Sequence, residues 1–374
     1  MKILLIRLRQ IGDVVFTTPT IAALRRHFPA AHLTYVVEPA AAAVVEANPH
    51  LNEVVVARRR PGLGGTIADV ALGLRLRRQR FDLAIDFHGG PRASLLAWLS
   101  GAPRRVGYDV PGRGWMYTDR VARPRELRPR HAVENQWDLL EALGLPPPSP
   151  STFPAEMPVD AGLQTSVRDR LRRHGVPPGA AVVVVHVSAG NPFRRWPLPS
   201  FAEVGAALVT ADSRVYVVVT SGPSEEDAAA RVIEAARARV DQPARTRVVS
   251  CGELSLSELR ALLETAALYI GGDSGPMHVA STSPAPMISL YGPTLPARSK
   301  PWRSPEVPAV AVEPASLPCR PCDQRVCVTG DFRCLTSIEP RTVIDAALAV
   351  LRQRRGRPQG TGSSADKIGA ESRP

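Results

Sequence analysis

With 374 residues, 44% of them apolar and 22% charged, the chain is too rich in core-forming side chains for bulk disorder and longer than one hydrophobic core usually serves, so two domains are expected. Its apolar runs fall far short of the ~18 residues that cross a bilayer, and Arg7 and Arg9 break the opening run with no small-residue cleavage site after it, which argues against a membrane span or a secretory leader and for the cytoplasm. A formal charge of +12 favours an anionic partner, but aromatic residues make up only 5% and do not interleave with the basic clusters, so no nucleic-acid partner is expected.

The opening KILLIRL reads as a buried strand, RQIGD as the loop after it, and Val14 to Phe28 as a helix. HLTYVV, EVVVA, FDLAIDF and RRVGY follow as strands, with helical stretches near 39–47, 66–80, 91–100 and 133–143. From Gly144 to Pro158 the prolines permit neither a helix nor a central strand, because each lacks a donor and fixes its backbone; this is the expected linker. Beyond it AVVVVHV, RVYVVVT, RVVS, ALYIGG and APMISLYG restart the alternation. The expected class is α/β, with doubly wound domains over 1–150 and 160–352 facing across a cleft, and a Gly/Ser-rich tail over 355–374 expected to be disordered. Ligands of such folds bind where strands end, so chemistry is sought in the loops that follow them.

Asp13, after the first strand and at the start of a helix, suits a general base that takes a proton from an acceptor hydroxyl. Asp is equally a preferred helix cap, and spacing does not separate the roles. In IGGDSGPMHVA, glycines allow close backbone approach and Pro276 suits a first helical turn, so Ser274 and Gly275 would open a helix whose free amides face an anion. Asp273 would repel phosphate and is better placed for sugar hydroxyls or for capping; His278 would face the nucleotide or pack in the helix. Ser188, Arg194 and Arg195 in HVSAGNPFRRWP are candidates for a diphosphate, against a solvated arginine pair. Neither GxxxxGK[ST] nor a strand-following GxGxxG occurs, which weakens ATPase and dinucleotide readings. Cys319, Cys322, Cys327 and Cys334 are spaced C-x2-C-x4-C-x6-C, compatible with a structural zinc site or with free thiols.

These motifs in this order resemble the heptosyltransferases of lipopolysaccharide synthesis, glycosyltransferase family nine: RLRQIGDVVFTTP, RRWP, GGDSGPMHVAS, ISLYGPT and CLTSIEPRTV, over most of 1–350. The segment FDLAIDFHGGPRASLLAWLSGAPRRVGY resembles the third-heptose branch most. The resemblance implies a GT-B architecture, an acceptor held by the N-terminal domain, an ADP-sugar held by the C-terminal one, and inversion at the anomeric carbon with no metal or other cofactor. It implies Asp13 as general base and Asp273, Ser274, Gly275 and His278 as donor-site residues, with Arg194 where many relatives carry Lys, a change from a point charge to a planar fork. Ser224, Glu225 and Glu226 compete for the ribose-contacting acid, Glu225 being preferred. Arg60, Arg104 and Arg120, with Arg58, Arg59 and Arg105, are candidates for the phosphates of a lipopolysaccharide-core acceptor at the inner-membrane surface, where the protein would be peripherally associated. A nucleotide-sugar epimerase of the same fold, or a non-catalytic binder of phosphorylated lipid, are the competing readings.

Overall fold

The computed structural model describes residues 1–123 and 130–356. Two six-stranded sheets carry it. The first contains β1 (Lys2–Ile6), β2 (His32–Val37), β3 (Glu53–Val56), β4 (Leu83–Asp86), β5 (Arg104–Asp109) and β6 (Asp119–Ala122), in the order β3-β2-β1-β4-β5-β6. The second contains β7 (Ala181–His186), β8 (Val215–Thr220), β9 (Val248–Val249), β10 (Leu268–Gly272), β11 (Met287–Leu290) and β12 (Ala309–Val312), in the order β12-β11-β10-β7-β8-β9. Read from its other edge, the second sheet repeats the winding of the first, and both are parallel throughout. The expected α/β, doubly wound GT-B class is the one observed.

Parallel strands covered on both faces must be apolar on both, and β1 shows why its sequence reads as a continuous run. Ile3 and Leu5 enter the cluster on one face of the sheet, Leu4 and Ile6 that on the other, all fully buried. In β7, Val183 and Val185 face one cluster and Val182 and Val184 the other.

Several local expectations are corrected. The helix expected over 14–28 is two, Ile11–Val15 and Thr18–His27; Thr17 and Thr18 turn their hydroxyls back onto the carbonyls of Val14 and Val15 at the break, and Pro19 falls in the first turn of the second helix. The helix expected at 66–80 spans Gly62–Arg78. The short edge strands β6 and β12 were not anticipated. Of the tail expected from 355, residues 355 and 356 belong to the helix Pro340–Gly356, and the rest lies outside the described residues.

The two halves share a seam. Val279 and Trp302, from the second half, are buried in the cluster built on the first sheet. Trp302 donates its indole N–H to Phe153 O at 2.9 Å, and its carbonyl accepts from Ala155 N at 2.8 Å. The strand order reverses between β1 and β4 and between β7 and β10, and the segments after β1 and β10 meet at the seam.

Candidate active site in the cleft

On the first half, β1 delivers Arg7 and the following turn. Gln10, at a φ of 69°, caps the helix Ile11–Val15 without a side-chain bond, and Asp13 lies within its first turn. The capping alternative for Asp13 therefore falls. Its carboxylate, one third exposed, is ion-paired to Arg7, whose guanidinium also donates to Phe87 O at 2.5 Å. Gln136 donates to the Asp13 carbonyl at 3.2 Å, which fixes the turn from behind.

The loop after β4 closes this side. Asp86, fully buried, accepts from the amides of His88 (2.8 Å) and Gly89 (3.0 Å) and from the Tyr117 hydroxyl (2.6 Å). Burial pushes its carboxyl above the ordinary range despite these donors. His88 is thereby held at the rim beside Arg7 and Arg9; burial and these two cations pull its imidazole down to about 4, so it is neutral near pH 7, and its Nδ1 is buried without a partner.

On the second half, β10 delivers Asp273 and Ser274. Asp273 is 2% exposed and accepts from Thr294 Oγ1 at 2.6 Å, with Arg194 Nη1 at 3.3 Å and His278 Nε2 at 3.4 Å. Burial alone would raise its pKa, but His278, Arg194 and Thr294 outweigh it and hold the carboxyl below the usual range. Ser274 caps the helix Gly275–Ser281 with no side-chain bond, and its buried hydroxyl and His278 Nδ1 have no partner. The helix start offers fewer amides than expected. Pro276 has none, and those of Met277 and His278 both turn back to Ser274 O, so an anion placed here would have the Gly275 amide, the Ser274 hydroxyl and the nearby cation to meet.

The loop after β7 is pinned by Trp196, buried in the second core with its indole N–H on Ile338 O at 3.1 Å. This anchor lets the two arginines before it project. Arg194 reaches Asp273 and donates from Nε to Gln324 at 2.7 Å; Arg195 pairs with Glu225 at 2.7 Å. The approach depends on Gly272, where a Cβ would sit 3.0 Å from Arg194 O. Ser188 is a brace between strand ends: its hydroxyl accepts from Gly222 N at 2.8 Å and lies 3.0 Å from His186 Nε2.

The two sides touch. A Cβ on Gly12 would lie 2.3 Å from the His278 ring, and one on Gly275 would lie 3.0 Å from Ile11. The turn bearing Asp13 thus abuts the turn bearing Asp273, Ser274 and His278, and Phe16 packs edge-on against His278 at 4.6 Å.

The three candidate acceptor arginines do not gather. Arg104 opens β5, at the amino end of the sheet and away from the cleft, where it binds Asp119 and Ala142 O. Arg105 next to it is spent on the carbonyls of Met116 and Ala102. Arg120 is exposed on the edge strand β6, and Arg60 is exposed in the loop after β3.

The model of glycosyltransferase family 9 (heptosyltransferase) matches residues 70–332. The chain belongs to this family. It is 28% identical over 84% of its length to lipopolysaccharide heptosyltransferase 3 of Escherichia coli, covering 89% of that protein. A glycosyltransferase family 9 structure from Veillonella parvula superposes with a TM-score of 0.78 at 24% identity, over 94% of this chain and 97% of that one. The E. coli ADP-heptose lipopolysaccharide heptosyltransferase II gives 0.76 at 20% identity, over 95% and 100%.

In this family 9 glycosyltransferase the four late cysteines line one cavity of about 30 Å³ beside Phe193 and Phe332, all as free thiols. Burial and the neighbouring thiols push Cys334 up, while a contact with Thr329 lowers Cys327. Among the described residues no group of three or more His, Cys, Asp or Glu side chains is arranged to hold a metal. The same loop carries Gln324 to Arg194, a contact that the cysteine spacing does not disclose. Thr294, Gln324, Arg7 and His88 are the site residues that sequence reading missed. Arg7 was within reach, since it shares the carboxyl end of β1 with Asp13.

Proposed function

We propose that this enzyme transfers heptose from ADP-heptose to the phosphorylated inner core of lipopolysaccharide, as a side-branch heptose, at the cytoplasmic face of the inner membrane. One observation carries the proposal: Asp13 on the first half lies one residue from the contact with His278 on the second, so a base and a donor pocket meet at a single seam. Residues 1–150 take the acceptor and 160–352 the nucleotide sugar.

In the proposed reaction the acceptor oxygen attacks the anomeric carbon as the bond to the β-phosphate oxygen breaks, with inversion. The acceptor proton passes to Asp13, and the departing ADP takes the bonding pair. Arg7 orients the Asp13 carboxylate, and His88, with an unpartnered ring nitrogen, receives an acceptor hydroxyl or phosphate. Arg194, the Ser274 hydroxyl and the Gly275 amide meet the diphosphate, whose growing charge is stabilised by groups already in place, so the proposal needs no metal. Asp273 fixes Arg194 and His278, and Glu225 beside Arg195 takes the ribose hydroxyls.

The test is Asp13→Asn, assayed with ADP-heptose and deep-core lipopolysaccharide. Transfer falls ~100-fold or more, the size of a lost general base, while ADP affinity stays at the wild-type value. Near-normal transfer removes Asp13 from the chemistry, and conversion of free donor without transfer replaces the proposal with an epimerase.

A further inference from the structure

The helix Gly62–Arg78 is apolar on two opposite sides. Gly65, Gly73 and Leu76 face the protein, as a covering helix requires. Leu63, Ile67, Val70 and Leu74 are 84%, 69%, 37% and 47% exposed. Their steps of four, three and four residues align them in one outward stripe.

The charges around the stripe are of one sign. The only acid on this helix, Asp69, is turned inward to Arg92 Nε at 2.9 Å. Arg75, Arg77 and Arg78 are exposed at its end, and Arg58, Arg59 and Arg60 are exposed just before its start. The neighbouring helix Pro91–Leu99, which packs against it at Gly73 and Leu99, adds exposed Trp98, set edge-on against exposed Trp115 at 5.6 Å. A packed helix with an outward apolar stripe, basic flanks and interfacial tryptophans has the make-up of one that lies in the plane of an anionic bilayer. A protein groove would fit the stripe, but would not ask for cations on both ends and no acid on the outer face.

We propose that this stripe docks the enzyme on an anionic lipid surface, an inference that rests on the reading of its acceptor as lipid-anchored. The helix starts after β3, at the carboxyl end of the first sheet, so Leu63 and Ile67 lie toward the end where the cleft opens. Docking through them brings the cleft to the head of a lipid-borne acceptor.

The experiment compares full-length wild type with the triple variant Leu63→Glu, Ile67→Glu, Leu74→Glu by flotation with vesicles of phosphatidylethanolamine and phosphatidylglycerol. Wild type floats with these vesicles and not with phosphatidylcholine alone; the variant binds at least ~10-fold less, with an unchanged thermal midpoint because the three positions are exposed. Transfer to detergent-dispersed acceptor is equal in the two proteins, and transfer to vesicle-embedded acceptor is lost in the variant. Wild type that stays in solution, a variant that floats equally well, or a stripe-dependent dimer that ignores vesicles overturns the proposal. Flotation that depends on the stripe, with no transfer to either acceptor, upholds it and sinks the heptosyltransferase reading instead.

Discussion

A single methyl group at position 12 probes whether the two halves meet in solution as they do here. The Cβ of Gly12→Ala would lie 2.3 Å from His278 Cδ2 and 2.9 Å from Nε2, inside any tolerable contact. The ring cannot swing aside: it is 5% exposed, wedged edge-on against Phe16 at 4.6 Å, and 3.4 Å from Asp273. Inserting one methyl into a packed site of this kind costs about 1–3 kcal/mol. The cost belongs to the pair, so in a His278→Ala background, where the methyl enters vacated space, the same substitution should cost close to nothing. Denaturant unfolding of the four proteins of this cycle then gives a coupling of about 1–3 kcal/mol. If Gly12→Ala is as stable as wild type, or costs the same with and without the imidazole, the helix starts are not in contact and the shared site dissolves.

Two further outcomes follow from the site and the core. Glu225→Ala, which removes the partner of Arg195, should raise the donor KM ~10-fold or more with kcat little changed, as expected for a charged hydrogen-bond acceptor used equally in ground and transition states; unaltered ADP affinity by calorimetry removes Glu225 from the donor pocket. Burial lowers the His186 imidazole to about 4 against about 6.5 in the unfolded chain, so below pH 6.5 the unfolded state takes up a proton that the folded state refuses. The stabilisation is complete above pH 6.5 and is lost as pH falls toward 4, at ~1.4 kcal/mol per pH unit; His186→Gln should flatten the stability profile by one proton, and an unchanged slope refutes the assignment.

What could be read from the sequence follows physical lines. Central strands such as β1 and β7 are buried on both faces and announce themselves as unbroken apolar runs. The edge strands β6 and β12 are short and half exposed, DRVA and AVAV, and carry no such signal. The motif residues at strand ends were legible because a parallel sheet brings every strand's carboxyl end to one rim. The same rule disqualifies Arg104, because the first residue of a strand lies at the opposite rim. Ser188 was legible as a loop residue but not as a brace, since its partners His186 and Gly222 come from two different strand ends. Gln324 was beyond reach, because its contact with Arg194 spans 130 positions and depends on how the cysteine loop folds back.

The burial of Val279 and Trp302 among residues of the first sheet bears on how this enzyme can be recombined. A chimera joined at the proline-rich linker would strand both side chains against a foreign surface and leave two holes in the donated half. Exchange of the first half between family members therefore has to transplant the segments around 279 and 302 together with the first sheet, even though they lie more than a hundred residues beyond the obvious cut.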